Sequence, residues 1–96
     1  MPEYQLYRGE QLLGTLTRTD VDFPWHHGTF APTEAFEAVR PLFERLLELH
    51  KPDRLNELAG AWDDVVSSGV RLEQLGKGPI DKFVLYIIGK TAMWRF

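Results

Sequence analysis

The sequence contains no cysteine, which excludes a small secreted scaffold held by disulfides and any zinc site built on thiolates. No stretch approaches the ~20 consecutive apolar residues of a membrane-spanning helix. The start, Met1-Pro2-Glu3-Tyr4-Gln5, lacks the basic stretch and apolar run of a signal peptide. Positive charge is scarce as well: 11 Lys and Arg stand against 14 Asp and Glu, for a formal net charge of -3. The cations are scattered, whereas nucleic-acid affinity depends on clustered cations that neutralise phosphates. These absences lead us to expect a cytoplasmic chain, with neither nucleic acid nor membrane as partner, stabilised by apolar packing.

What is present suits that expectation. The chain has 96 residues, 44% of them hydrophobic and 26% charged. A chain of this length buries roughly two thirds of its unfolded surface, enough for one core. We therefore expect a single domain over residues 1–96.

Periodicity divides the chain into elements. Tyr4 and Leu6 alternate with polar neighbours, Arg8-Gly9-Glu10-Gln11 supplies a turn, and Leu12, Gly14 and Leu16 continue the period of two. This predicts a β-hairpin from Tyr4 to Thr19, with Leu13 an exposed or edge exception. From Asp20 to Pro32 the period is lost in a segment with two prolines and three aromatics, an irregular connection by this reading. Thr33 is the expected N-cap of an amphipathic helix carrying Phe36, Val39, Phe43, Leu46 and Leu47 and ending near His50. Pro41 inside it predicts either a kink or a second helix beginning there.

A further helix opens at Pro52-Asp53, with Leu55, Leu58, Ala59, Trp62, Val65 and Val66 on one face and Trp62 as a core anchor. It closes at Ser67-Ser68-Gly69. Strands follow over Val70–Leu75, Phe83–Ile88 and Thr91–Phe96, separated by turns at Gly76–Pro79 and Gly89-Lys90. Phe83–Ile88 is apolar on both faces, as a central strand or one pairing with another molecule would be. The expected fold is α+β in two layers, ordered ββααβββ, an antiparallel sheet with two helices packed on one face.

Candidate sites concentrate in one segment. Asp20, Asp22, His26 and His27 are carboxylate and imidazole ligand types within one loop, the composition a divalent metal needs. Phe23, Trp25 and Phe30 in the same segment must tuck into the core or form a contact surface, and tryptophan dominates binding hot spots. Catalysis has thinner support. Ser67 and Ser68 are explained by their place at a helix end, and no nucleophile motif surrounds them. Gly76-Lys77-Gly78-Pro79 leads into a strand, whereas a phosphate loop leads into a helix. No catalytic residue and no cofactor are expected.

The segment Asp22-Phe23-Pro24-Trp25, with Gly28-Thr29-Phe30, Pro32-Thr33, Ala35-Phe36 and Val39-Arg40-Pro41-Leu42-Phe43, and the ending Ala92-Met93-Trp94-Arg95, resembles a group of small uncharacterised bacterial proteins. The likeness covers the middle third of the chain and its end. It implies a bacterial cytoplasmic origin and brings no activity, cofactor or catalytic residue.

The expected function is thus a non-catalytic protein-binding or regulatory module, acting through a protein partner or self-association, with Phe23, Trp25, His26, His27 and Phe30 as contact residues. The competing expectation is a small metal-assisted hydrolase or small-ligand binder centred on Asp20, Asp22, His26 and His27.

Overall fold

The alternation of Tyr4 and Leu6 with polar neighbours produces β1 (Glu3–Arg8), which turns at Gly9 and pairs antiparallel with β2 (Gln11–Asp22). Gly9 has a φ of 59°, a conformation open to glycine at no steric cost. A computed structural model describes residues 2–96. After β2 come β3 (Trp25–Pro32), a 3-10 turn over Glu34–Ala38, α1 (Arg40–Leu49), a second 3-10 turn over Pro52–Arg54 and α2 (Leu55–Ser67). The chain ends with β4 (Val70–Gln74), β5 (Gly78–Ile80), β6 (Val84–Ile88) and β7 (Thr91–Arg95).

All seven strands form one antiparallel sheet in the order β5-β4-β1-β2-β3-β7-β6. The expected α+β arrangement, ββααβββ with both helices on one face, is present, and two further strands are inserted in it. One is β3, which occupies the segment expected to be irregular. Its pairing with β2 runs from Gly14 opposite Pro32 to Asp22 opposite Trp25, leaving only Phe23-Pro24 as the turn. Periodicity fails there because the pairing slips by a residue between Arg18 and Asp20, a bulge that shifts the face alternation within β2. The other is β5, which begins at Gly78 inside the expected turn.

A second bulge explains Leu13. Leu6 faces Gly14 but Tyr7 faces Leu12, so Leu13 is the extra residue, and it is fully buried instead of exposed. The C-terminal strands do not form one meander: β4–β5 joins the sheet at β1, and β6–β7 joins at β3. β6 is therefore an edge strand. It is apolar on both faces because Leu85 and Ile87 enter the core, while Tyr86 on the other pleat packs against His50 and Trp25, at 5.0 and 6.0 Å between ring centres.

Connectivity forces the sheet to curl. In a flat sheet, seven strands would hold β5 and β6 about 29 Å apart. Only Asp81, Lys82 and Phe83 link them, and such a link reaches about 14 Å. The strands therefore wrap around Tyr4, Leu6, Leu16, Phe30, Leu72, Leu85, Ala92 and Trp94. The helices pack on that inner face, α1 beside β6 and α2 beside β4. Phe36, Val39, Phe43, Leu46, Leu49, Ala61 and Val65 complete the core.

Pro41 lies at the start of α1, so the chain makes a 3-10 turn and then a new helix. There the missing N–H has no helical partner to lose. Thr33 does not cap the turn with its side chain. Its hydroxyl instead donates to the Leu12 carbonyl at 2.6 Å and its N–H to that of Leu13 at 2.8 Å, tying the start of the helical segment to the bulge. In α2 the buried stripe runs through Ala61 and Val65, so Leu55, Ala59 and Val66 are exposed and Trp62 is half-buried, no core anchor.

Two glycines permit the curl. A Cβ on Gly14 would lie 2.6 Å from Cζ of Phe30, whose ring covers it, and one on Gly28 would overlap the Thr17 carbonyl beside the bulge. Gly60, in contrast, sits in α2 with open space around it. We expect Gly28→Ala to lower stability by about 2 kcal/mol or more through backbone displacement. Gly60→Ala raises it by about 0.5–1 kcal/mol. Urea denaturation of both variants checks the contrast.

Candidate functional site

A cleft of about 650 Å³ opens where the two ends of the curled sheet approach each other, within the ~300–1,000 Å³ typical of ligand pockets. Trp62 and Val66 enter from α2, Phe83 and Tyr86 from the stretch around β6, Trp25 from β3 and Phe96 from beyond β7. The aromatic rings hold one another in place. Trp62 meets Phe83 edge to face at 5.9 Å and 88°, and Trp25 packs obliquely on Tyr86 at 6.0 Å. Burial pushes the Tyr86 phenol above its usual value, so it stays neutral near pH 7.

Charge enters the cleft at exposed positions only, from Asp81, Lys82 and Arg95. The Arg95 guanidinium lies 5.7 Å from the centre of the Trp25 ring, a cation–π contact. Among the described residues neither Lys82 nor Arg95 forms an ion pair with a carboxylate. The site thus offers apolar and aromatic surface with two cations and one carboxylate in its lining.

The segment expected to carry function is divided by the pleat of β3. Trp25 lines the cleft and is half-buried. Phe23 stands at the tip of the β2–β3 hairpin, 92% exposed. Phe30, only 2% exposed, meets Phe36 edge to face at 4.9 Å and belongs to the core instead of a contact surface. His26 faces Trp94 across the β3–β7 pair and stacks on its indole at 6.0 Å. His27 points to the opposite face and shares a hollow with Asp20 and Asp22.

That division overturns the metal reading. Asp20 is opposite His27, while His26 turns inward, because consecutive strand residues alternate faces. Among the described residues, no three His, Asp or Glu side chains come together closely enough to hold a metal ion. A small hydrolase centred on these four groups loses its geometry.

The cleft residues other than Trp25 were not expected to form a site. Two signals pointed to them. The apolar stripe assigned to α2 was broader than one packed face, and the Phe83–Ile88 run was apolar on both sides.

His26 has a pH consequence. Burial, then the charge of Arg18 and then that of His27, hold its imidazole below the ordinary value, which is about 6.5. Arg18 Nη1 lies 3.5 Å from His26 Nδ1, and arginine only donates, so Nδ1 is the acceptor of a neutral ring. The unfolded chain therefore takes up the proton before the folded one does. This contribution to stability is full above about pH 6.5 and is lost as pH falls through the lower folded value. We expect the urea midpoint to drop between pH 8 and pH 5, with a smaller drop in His26→Gln.

No protein-family model, curated protein or solved structure matches this chain. Its functional reading accordingly rests on the cleft and the surface around it.

Proposed function

We propose that this chain is a non-catalytic binding module of the bacterial cytoplasm that takes apolar side chains of a protein partner into the cleft between α2 and the β6 end of the sheet. The observation that carries this reading is the composition of the cleft. Trp25, Trp62, Phe83, Tyr86 and Phe96 converge on one open space of about 650 Å³. Aromatic anchors around a desolvating pocket are the usual energetic centre of a protein interface. Phe96 and Val66, about half exposed at the cleft, extend apolar surface outward, where a partner would cover it.

A protein partner is favoured over a small molecule by what surrounds the cleft. Phe23, at the neighbouring hairpin tip, leaves almost its whole ring in water. A ligand sized for the cleft alone would leave that ring uncovered, whereas a polypeptide surface spans both.

Trp25→Ala separates binding from folding. Trp25 is half-buried, so its truncation costs less than about 3 kcal/mol, below the ~3–5 kcal/mol of a fully buried tryptophan. Trp94→Ala provides that upper comparison, since Trp94 has no exposed surface. We expect Trp25→Ala to remain folded by circular dichroism yet fail to retain a stoichiometric partner from a bacterial extract. Equal retention by both folded forms would remove the cleft from the binding surface.

A further inference from the structure

The β2–β3 tip and the cleft are complementary in both shape class and charge. The tip carries Asp20, Val21, Asp22 and Phe23, all exposed, so it presents one aromatic ring flanked by carboxylates. The cleft presents apolar walls with two cations, Lys82 and Arg95, against one carboxylate, Asp81, and neither cation has an ion-pair partner among the described residues. Within one molecule the two do not meet: among the described residues Asp20 and Asp22 form no ion pair, and Phe23 stays in water.

The tip and cleft are also neighbours. Trp25, which lines the cleft, is the cross-strand partner of Asp22 and lies two residues beyond Phe23. One continuous patch therefore contains both a projecting group and its receptor. A patch of that kind is self-complementary under two-fold rotation, because each copy gives and receives the same contact.

Resting on the binding reading above, we propose that the occupant of the cleft is the hairpin tip of a second copy of this chain. Phe23 inserts into the cleft beside Trp25, Trp62 and Phe83 of the other copy, and Asp20 and Asp22 face its Lys82 and Arg95, twice over in a closed dimer. Strand-to-strand association is the weaker route to a dimer. α1 packs beside β6 at one edge of the sheet, and the other edge strand, β5, has only three residues. The area required is modest. A standard interface covers about 800 Å² on each partner, about an eighth of the 6004 Å² of accessible surface, a fraction that a hairpin tip and an adjacent cleft can supply.

The test is sedimentation velocity across micromolar to millimolar concentrations. We expect a monomer–dimer equilibrium that Phe23→Ser weakens by about thirtyfold, the scale of a hot-spot loss. Charge reversal then probes the pairing. One variant carries Asp20→Lys with Asp22→Lys, the other Lys82→Glu with Arg95→Glu, all at exposed positions that leave the fold intact by circular dichroism. Each alone is monomeric, and mixing them restores a heterodimer, since the lysine tip then meets the glutamate cleft and the native acidic tip meets the native basic cleft.

A native chain that stays monomeric throughout, or a mixture that fails to associate, overturns the second-copy proposal. The binding reading is tested separately, by titrating a cyclised synthetic peptide of residues 19–27, carrying Trp25→Phe, against tryptophan fluorescence of the monomeric Phe23→Ser form. A saturable change retains the cleft as a polypeptide site even if the native chain is monomeric. Its absence overturns the second-copy proposal and leaves the binding reading to the extract test of Trp25→Ala.

Discussion

The structure depends on bending a seven-stranded sheet far enough for a three-residue connection, Asp81-Lys82-Phe83, to bridge its two ends. Hydrogen bonding alone does not supply that bend. It needs places where the backbone approaches other atoms more closely than a side chain allows, and where an extra residue increases the twist. The chain has both along β2. Bulges interrupt its pairing with β1 near Leu13 and with β3 near Thr19, and Gly14 and Gly28 remove a Cβ from the most crowded positions beside them. The helices then cover the inner face that the bend creates, so their packing is a consequence of the curl.

What fills the curl is a group of aromatic rings centred on Trp94. Tyr4 stands edge to face with it at 5.3 Å, His26 stacks on it at 6.0 Å, and Phe96 packs against both Tyr4 and His26. These rings come from β1, from the adjacent strands β3 and β7, and from Phe96 beyond β7, with β2 lying between β1 and β3. Among the described residues the indole N–H has no hydrogen-bond partner despite complete burial. Magnitudes decide why this is tolerated. An unsatisfied donor costs about 1–3 kcal/mol, whereas burying about 200 Å² of aromatic surface contributes about 5 kcal/mol. The same apolar surroundings act against a charge on His26, which keeps that ring neutral within the stack.

Sequence periodicity revealed the elements whose alternation is undisturbed, and little about those built on bulges. β1, α1, α2, β4, β6 and β7 carry no bulge of their own and are legible in the sequence. β3 was not, because Phe30 and His26 face inward while Trp25 and His27 face outward, and two prolines and a histidine pair conceal that alternation. Leu13 was misread for the same reason, since a bulged residue breaks the period while still entering the core. Trp25 and Phe23 stood out by composition as contact residues. Trp62, Phe83, Tyr86 and Phe96 did not, because their convergence depends on which strands form the ends of the sheet, and strand order leaves no local trace in the sequence.

The cleft follows from the same topology. β5 and β6 approach each other without pairing, so the seam between them must be closed by side chains instead of a hydrogen-bonded ladder. α1 and α2 close much of it, packed beside β6 and β4. Beside Val65, the last buried position of α2, Val66 and Trp62 border the open space, with Trp62 edge to face on Phe83. An incompletely closed seam has walls that the core has already made apolar. The proposed binding surface therefore lies where the two ends of the sheet do not pair, and in the proposed dimer the exposed hairpin beside it supplies the carboxylates that meet Lys82 and Arg95.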